Sequence, residues 1–329
     1  MHFFDKIHIN SFKGLKNVEL EKVRDLNLIF SYGNFGKTSF LEALKIMAEP
    51  LSLCRSYNYF LKKYDKKAFS LYKSLFFKNK KAEFSWSVNG IDFYDRLIGD
   101  ISEDGIFEGY QFYQFGSELF GIKDIFGKEI AVSENQPLFE VKEDFGEIDW
   151  NYYDCLLWNE EKNFSGFKDN DFKQYILNFI KYYNEDVTNI FVDNHKNIMV
   201  NTKNEGYIPA KNLGSFLYSA AVMHKFLENC DNSVLLIDNF DFMLNEKCAE
   251  EYINTFLGSV EEKNCLKFVV LKTDFALRAF IDILSRNRRL SNLTLTILDK
   301  NEETGCFFSK FFLGEDITKN LFKNGEIIK

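Results

Sequence analysis

The chain has 329 residues, 46% of them hydrophobic and 27% charged, with a formal net charge of -8. That is enough apolar material for one large α/β domain, or one domain carrying a sizeable insertion, and it excludes a disordered chain. The acidic balance argues against a surface given over to nucleic acid, while leaving room for a local basic patch.

Phe is abundant at 37 residues and Pro scarce at 3, without any repeating aromatic spacing. The cysteines at 54, 155, 230, 248, 265 and 306 form no CxxC pair, and the four histidines, at 2, 8, 195 and 224, form no metal-ligand spacing with them. Neither a zinc site nor a disulfide framework is expected. The start, MHFFDKIHINSF, lacks an apolar core of signal-peptide length, and no apolar run approaches about 18 residues. A reduced, cytoplasmic chain that avoids the membrane is the expectation.

In chain order, KIHINSF and NVEL read as short alternating strands and LNLIF as a buried one. From Thr38 to Ala48 the apolar residues Phe40, Leu41, Leu44 and Met47 keep helical spacing, and Pro50 supplies a stop. Segment 51–78 reads as helical, and AEFSWSVNGIDFYDRL as a hairpin turning at Asn89-Gly90. Residues 100–165 resist assignment and are acidic: ten carboxylates against Lys142 alone between Glu129 and Glu161. A charge run of this kind reads as a solvated face.

From Leu213 the pattern becomes regular. A helix-period segment to about Glu228 is followed by the strand SVLLID, the helix EKCAEEYINTFLGSV, the strand LKFVVLK, the helix FALRAFIDIL and the strand LTLTIL. Alternating strands and helices imply right-handed crossovers and a mainly parallel sheet with helices on both faces.

Between LNLIF and its helix lies Ser31-Tyr32-Gly33-Asn34-Phe35-Gly36-Lys37-Thr38. It ends as a phosphate-binding loop should, but opens on serine where that motif has glycine. Such a loop works because backbone N–H groups and a helix N-terminus face the phosphates. The lysine reaches the β- and γ-phosphates, and the Thr hydroxyl helps to hold Mg²⁺. Ser31 costs backbone freedom, although Gly33 and Asn34 can still take unusual φ values. The alternative is an ordinary β–α turn with a solvated lysine. A carboxylate ending a neighbouring buried strand is the second requirement, and Val234-Leu235-Leu236-Ile237-Asp238 supplies it. Alone, Asp238 could equally cap the next turn. With Gly36-Lys37-Thr38 it reads as a metal partner, so Thr38 and Asp238 are the metal-ligand candidates.

On these blocks the chain resembles the ATP-binding heads of the ABC/SMC/RecF class, and within it the bacterial AAA family ATPases related to the OLD proteins. IHINSFKGLKNVEL looks like the family's opening strands, and LNLIFSYGNFGKTSFLEAL is similar to its Walker A block. YIPAKNLGSFLYSAAVMHKF looks like its signature block, SVLLIDNFDFML like its Walker B and D-loop block, and FVVLKTD like the strand before its switch. The resemblance implies an α/β P-loop NTPase fold with a mixed sheet, bound ATP and Mg²⁺, and a sandwich of nucleotide between two protomers. It implies a nucleotide-binding set of Ser31, Gly33, Asn34, Gly36, Lys37, Thr38 and Ser39, with Ser215 from the signature block.

Four positions depart from that family. Ser31 replaces glycine. Asn239 stands where a glutamate normally polarises the attacking water, and an amide cannot take a proton. Asp274 occupies the switch-histidine position, and Ser215 is followed by Phe216 rather than glycine. General-base assistance is worth about 10²–10⁴ in rate. The expectation is Mg-ATP binding with slow or absent hydrolysis, against a rival in which Asp241 or Asp274 serves as base. Gln111 and Gln114 are weak candidates for the glutamine that contacts the metal.

Eight lysines and one acid, Asp65, lie between Lys62 and Lys81, interleaved with Tyr64, Phe69, Tyr72, Phe76 and Phe77. This suits either a lysine-covered amphipathic helix or a nucleic-acid backbone. Arg286-Asn287-Arg288-Arg289 forms a smaller cluster. Only 30 residues follow Asp299, too few for the Toprim nuclease of OLD relatives, so a nuclease would have to be another chain. The expected architecture is an N-terminal ATPase lobe over 1–50, an inserted lobe over 51–200 and a C-terminal ATPase lobe over 201–329. The expected assembly is a homodimer or a complex with an effector chain. A nucleotide-free scaffold and a DNA-stimulated ATPase are the alternatives.

Overall fold

In the computed structural model, β3 (Leu26–Phe30), the LNLIF run, is buried at every residue. So are β12 (Val234–Asp238) and β13 (Leu266–Leu271). Continuous apolar runs of this kind belong to parallel strands covered on both faces. The described residues are 4–33, 36–48, 81–88, 91–101, 107–116, 129–130, 150–154, 170–193, 198–213, 223, 227, 233–244, 249–261, 263, 265–314, 316–317, 322–323 and 326–327. The helix read over 51–78 and the hairpin residues Asn89 and Gly90 lie outside them.

β13 pairs in parallel with β12 and with β3. β14 (Leu293–Lys300) adds in parallel to the other side of β3, and β8 (Trp150–Asp154) to the far side of β12. This gives the parallel block β14-β3-β13-β12-β8. Around it runs an antiparallel wing. β1 (Phe4–Phe12) pairs with β2 (Leu15–Leu20) and with β4 (Lys81–Val88). The wing continues through β5 (Ile91–Ile101), β6 (Phe107–Gly116) and β7 (Glu129–Ile130). β4 and β5 pair tightly at Val88 and Ile91, either side of the expected turn.

β15 (Phe307–Leu313) joins wing to block. It runs antiparallel to β14 and meets β2 in parallel through the single register pair Phe307 and Leu15. Beyond that rung the Glu19 amide donates to the Ser309 hydroxyl at 3.0 Å, a side chain standing in for a ladder bond. Among the described residues the result is one twelve-stranded mixed sheet. A separate antiparallel sheet joins β9 (Val187–Val192), β10 (Ile198–Thr202) and β11 (Gly206–Pro209).

Side-chain parity divides the block into two cores. Leu26, Leu28, Phe30, Leu235, Ile237, Val269 and Leu271 face one side. There they meet α2 (Asn170–Tyr183), α3 (Ala249–Glu261) and α4 (Asp274–Arg286). Ile29, Val234, Leu236, Phe268 and Val270 face the other side. There α1 (Lys37–Ala48) packs Phe40, Leu41, Leu44 and Met47 against them, together with the inner residues of β1, β2 and β4. Helices therefore cover both faces of the parallel block. Among the described residues no helix is long and apolar enough to cross a membrane.

One buried polar side chain organises the base of the block. Asn27, wholly buried in β3, donates to the carbonyls of Arg24 (2.7 Å) and Lys267 (3.1 Å). Its Oδ1 accepts from the Arg24 amide (3.1 Å) and the Thr294 hydroxyl (2.6 Å). All four hydrogen-bonding positions of the amide are used, and they tie β3 to both neighbouring strands.

Candidate nucleotide site

The same parity that builds the cores assembles the site. On β3, Asn27 and Ile29 face α1, so Ser31 at the strand's end faces it too; on β12, Val234 and Leu236 place Asp238 on that side. Both side chains are wholly buried at the carboxyl ends of their strands, where open α/β sheets bind ligands. The loop after β3 turns into α1, whose first backbone bond runs from the Phe40 amide to the Gly36 carbonyl at 2.7 Å.

Gly36 has φ 69°, in the left-handed region, and this is where the loop uses glycine's freedom. Ser31 keeps an ordinary backbone, and its hydroxyl donates to the Gly33 carbonyl at 2.8 Å. The serine thus bridges the loop it opens.

Lys37 is 3% exposed. Its ammonium donates to the Ser31 carbonyl at 2.9 Å, to the Ser31 hydroxyl at 3.4 Å and to the Gly33 carbonyl. Burial first, and then the charge of Lys272, push its pKa down to about 8, against the opposing pull of Asp241 and Asp238. The Thr38 hydroxyl donates to Asp238 Oδ2 at 2.8 Å. Two short motifs 200 residues apart in sequence thereby touch side chain to side chain.

The residues weighed for hydrolysis are placed as follows. Asn239 is 5% exposed and has φ 57°, ψ 36°, a left-handed conformation that asparagine tolerates better than most residues. Its side chain makes no capping bond to the 3₁₀ turn Phe240–Met243 that follows. Asp241 is engaged by the end of β13: one oxygen, Oδ2, accepts the amides of Lys272 and Thr273, both at 2.6 Å. Asp274 is exposed in the first turn of α4, whose cap is the Thr273 hydroxyl accepting the Ala276 amide at 3.3 Å. Partial burial, then Asp274, raise the pKa of Tyr32 in the loop, while Arg278 opposes them. Asp274 and Arg278 thus flank the loop's rim, where Tyr32 is 43% exposed and packs edge-on to Phe30 at 5.0 Å.

Asn34 and Ser215 lie outside the described residues, as does the lysine-rich segment except Lys81, the first residue of β4. Gln111 and Gln114 are on β6 in the antiparallel wing.

Two contacts escaped sequence reading. The opening turn is held to α1 by a buried ion pair of Lys13 with Glu42, the latter 1% exposed. Phe307 lies over Gly14 and Gly36 together, while its amide donates to the Gly14 carbonyl at 2.8 Å. The two glycines were the available signal, since neither tolerates a side chain beneath that ring.

The donor set suits a magnesium-bound polyphosphate. Thr38 hydroxyl and Asp238 carboxylate are hard oxygen donors on adjoining elements. Lys37 is a cation, and α1 starts without an acidic residue in its first turn to occupy its free amides.

No family model matches the sequence. Over 91 residues the chain is 33% identical to the DNA replication and repair protein RecF of Caldanaerobacter subterraneus subsp. tengcongensis, a match covering 27% of this chain and about a quarter (25%) of RecF. Among solved structures, an SMC head bound to the C-winged helix domain of ScpA is similar with a TM-score of 0.55. Identity there is 11%, and the match covers 95% of this chain and 99% of that one. The Pyrococcus furiosus SMC head with an extended coiled coil, bound to the C-terminal domain of ScpA, gives a TM-score of 0.55 at 12% identity. It covers 97% of this chain and 98% of that one. At such identities the likeness is one of fold, and it runs over nearly the whole of each chain.

Proposed function

Because the chain has the fold of the ABC/SMC/RecF-class ATPase heads, we propose that it binds Mg-ATP on the loop 31–38 and uses the nucleotide to gate assembly. Hydrolysis is slow or absent. The observation that carries this reading is the 2.8 Å bond from Thr38 to Asp238, which unites the loop with the strand-end carboxylate. Thr38 and Asp238 would hold the magnesium, whose chemistry is to neutralise phosphate charge. Lys37, the amides of α1 and Ser39 would take the phosphates, with Asn34 and Ser215 proposed from sequence.

Two features support weak hydrolysis. Asn239 cannot accept a proton from water, and Asp241 has one carboxylate oxygen committed to two backbone amides. Nucleotide then acts as a ligand that stabilises the state it contacts best. Assembly would be with a second copy or with an effector chain, in a cytoplasmic DNA-processing or phage-defence setting.

A second reading keeps an active ATPase with Asp274 as base, favoured by its exposed position beside Tyr32 at the loop's rim. Steady-state turnover of the wild type, Asn239→Glu and Lys37→Ala separates the two. The gating reading expects little wild-type turnover and a gain in Asn239→Glu. Robust wild-type turnover that Lys37→Ala abolishes replaces it with the active enzyme. Calorimetry with ATP at millimolar concentration tests the nucleotide-free scaffold. A salt-dependent gel shift tests DNA binding by the Lys62–Lys81 segment, which no binding at low salt removes.

A further inference from the structure

We propose that Lys272 is a second phosphate-binding cation of this site, placed to reach the terminal phosphate of a nucleoside triphosphate. The proposal rests on the reading of the loop 31–38 as a triphosphate site, and goes beyond it by naming a residue to which the sequence reading gave no role.

β13 lies between β3, which leads into the loop, and β12, which ends in Asp238. Leu271 pairs with Phe30, so the next residue, Lys272, sits beside Ser31, whose carbonyl holds the Lys37 ammonium. Along β13 the residues Leu266, Phe268 and Val270 face α1, while Val269 and Leu271 face the opposite helices. Continuing that alternation puts Lys272 on the α1 side, level with Ser31 and two residues further along the sheet than Asp238. Three consecutive strands of the block thus present Ser31, Lys272 and Asp238 to the start of α1.

The backbone of Lys272 is fixed there. Its amide donates to Asp241 Oδ2 at 2.6 Å, as does that of Thr273. This clamp anchors the residue without engaging its ammonium, and among the described residues that ammonium has no carboxylate partner. It is half-buried, and its charge is the largest influence on Lys37 after burial itself. Two ammonium groups set against each other repel, and a polyanion between them converts that repulsion into attraction. In loops of this type the lysine reaches the β- and γ-phosphates, and the metal bridges their oxygens. A second cation on the strand between the loop and the metal's carboxylate would add positive charge at the γ-phosphate, where ATP and ADP differ. The sequence stretch FVVLKTD gives the lysine immediately before the switch-like Thr273-Asp274, where a histidine is missing.

The test compares ATP and ADP affinities, each with Mg²⁺, by calorimetry on the full chain. Lys272→Gln is expected to weaken ATP by about tenfold or more while ADP changes by less than about twofold, the loss appropriate to one charge-assisted bond. Lys272→Arg should keep the wild-type preference, and Lys37→Ala should lose both nucleotides. Partial misfolding would lower ATP and ADP together, so their ratio remains informative, and the amide clamp to Asp241 survives any side-chain change. An unchanged ATP-to-ADP ratio in Lys272→Gln overturns the proposal and leaves the triphosphate site standing. Failure of the wild type to bind either nucleotide overturns both.

Discussion

The ring of Phe307 stands against Gly36 so closely that a Cβ there would lie 3.0 Å from its Cδ2 and 2.7 Å from Cδ2 of Leu15. With φ at 69°, position 36 therefore excludes a side chain twice over, by backbone strain and by crowding. A left-handed non-glycine residue costs about 1–2 kcal/mol and an overpacked contact about 1–3 kcal/mol. Gly36→Ala is expected to lower unfolding free energy by roughly 2–4 kcal/mol in urea denaturation. Adding Phe307→Leu should return part of that loss. Strict additivity of the two changes would show that the ring and the glycine do not constrain each other.

On the proposed reading of the loop as a nucleotide site, Lys37 would make affinity depend on pH. In the free chain its pKa is about 8, against an ordinary 10.5. Between those values the unfolded chain holds a proton that the folded chain has released, so this group's contribution to stability rises with pH. A bound triphosphate favours the charged ammonium, so binding above pH 8 takes up a proton. The dissociation constant for Mg-ATP should rise about tenfold from pH 7 to pH 9. A flat profile in calorimetry at constant ionic strength would contradict the buried, repelled lysine.

Asn27 offers a stability test far from the loop. Asn27→Leu removes four hydrogen bonds within the parallel block and leaves the Lys267 carbonyl and the Thr294 hydroxyl without that partner. The expected loss is about 2–4 kcal/mol, and about 1 kcal/mol for Thr294→Val, which removes one bond. Thermal unfolding of both variants checks the order.

The end of α4 carries a correctable strain. The Arg289 amide bonds the Leu284 carbonyl at 2.8 Å and the Arg288 amide the Ser285 carbonyl at 3.1 Å, a Schellman ending. Its left-handed position, usually glycine, is Arg288 with φ 56°. Arg288→Gly should stabilise the protein by about 1 kcal/mol, read as a higher urea midpoint at unchanged slope. A loss of stability would mean that the arginine side chain contributes more than its backbone costs.

The sequence disclosed those parts of the molecule governed by local pattern. LNLIF, VLLID and LKFVVL are mostly apolar and buried throughout because both faces of each strand are covered, and their order with α3 and α4 implied the parallel block. The meeting of Thr38 with Asp238 was readable because the phosphate-binding pattern, with its residue types at fixed spacing, expects a strand-end carboxylate beside the loop. The antiparallel wing was harder: β6 and β8 lie in the acidic stretch whose charge masks their alternation, and β15 is half-exposed along its length. Contacts between distant segments were out of reach. Asp241 looked like a spare base because nothing local says that the amides of Lys272 and Thr273 lie against it. Lys272 read as the polar end of a strand, and its place beside Ser31 emerges only from the register of β13 on β3.

The bridge between β2 and β15 is one backbone rung long, and the aromatic ring at that rung rests on the hinge glycine of the loop. A shift of the antiparallel wing against the parallel block would reach residue 36 through that ring. Strain on the outer strands would thus press on the loop through one aromatic side chain, without any contact to the loop from outside.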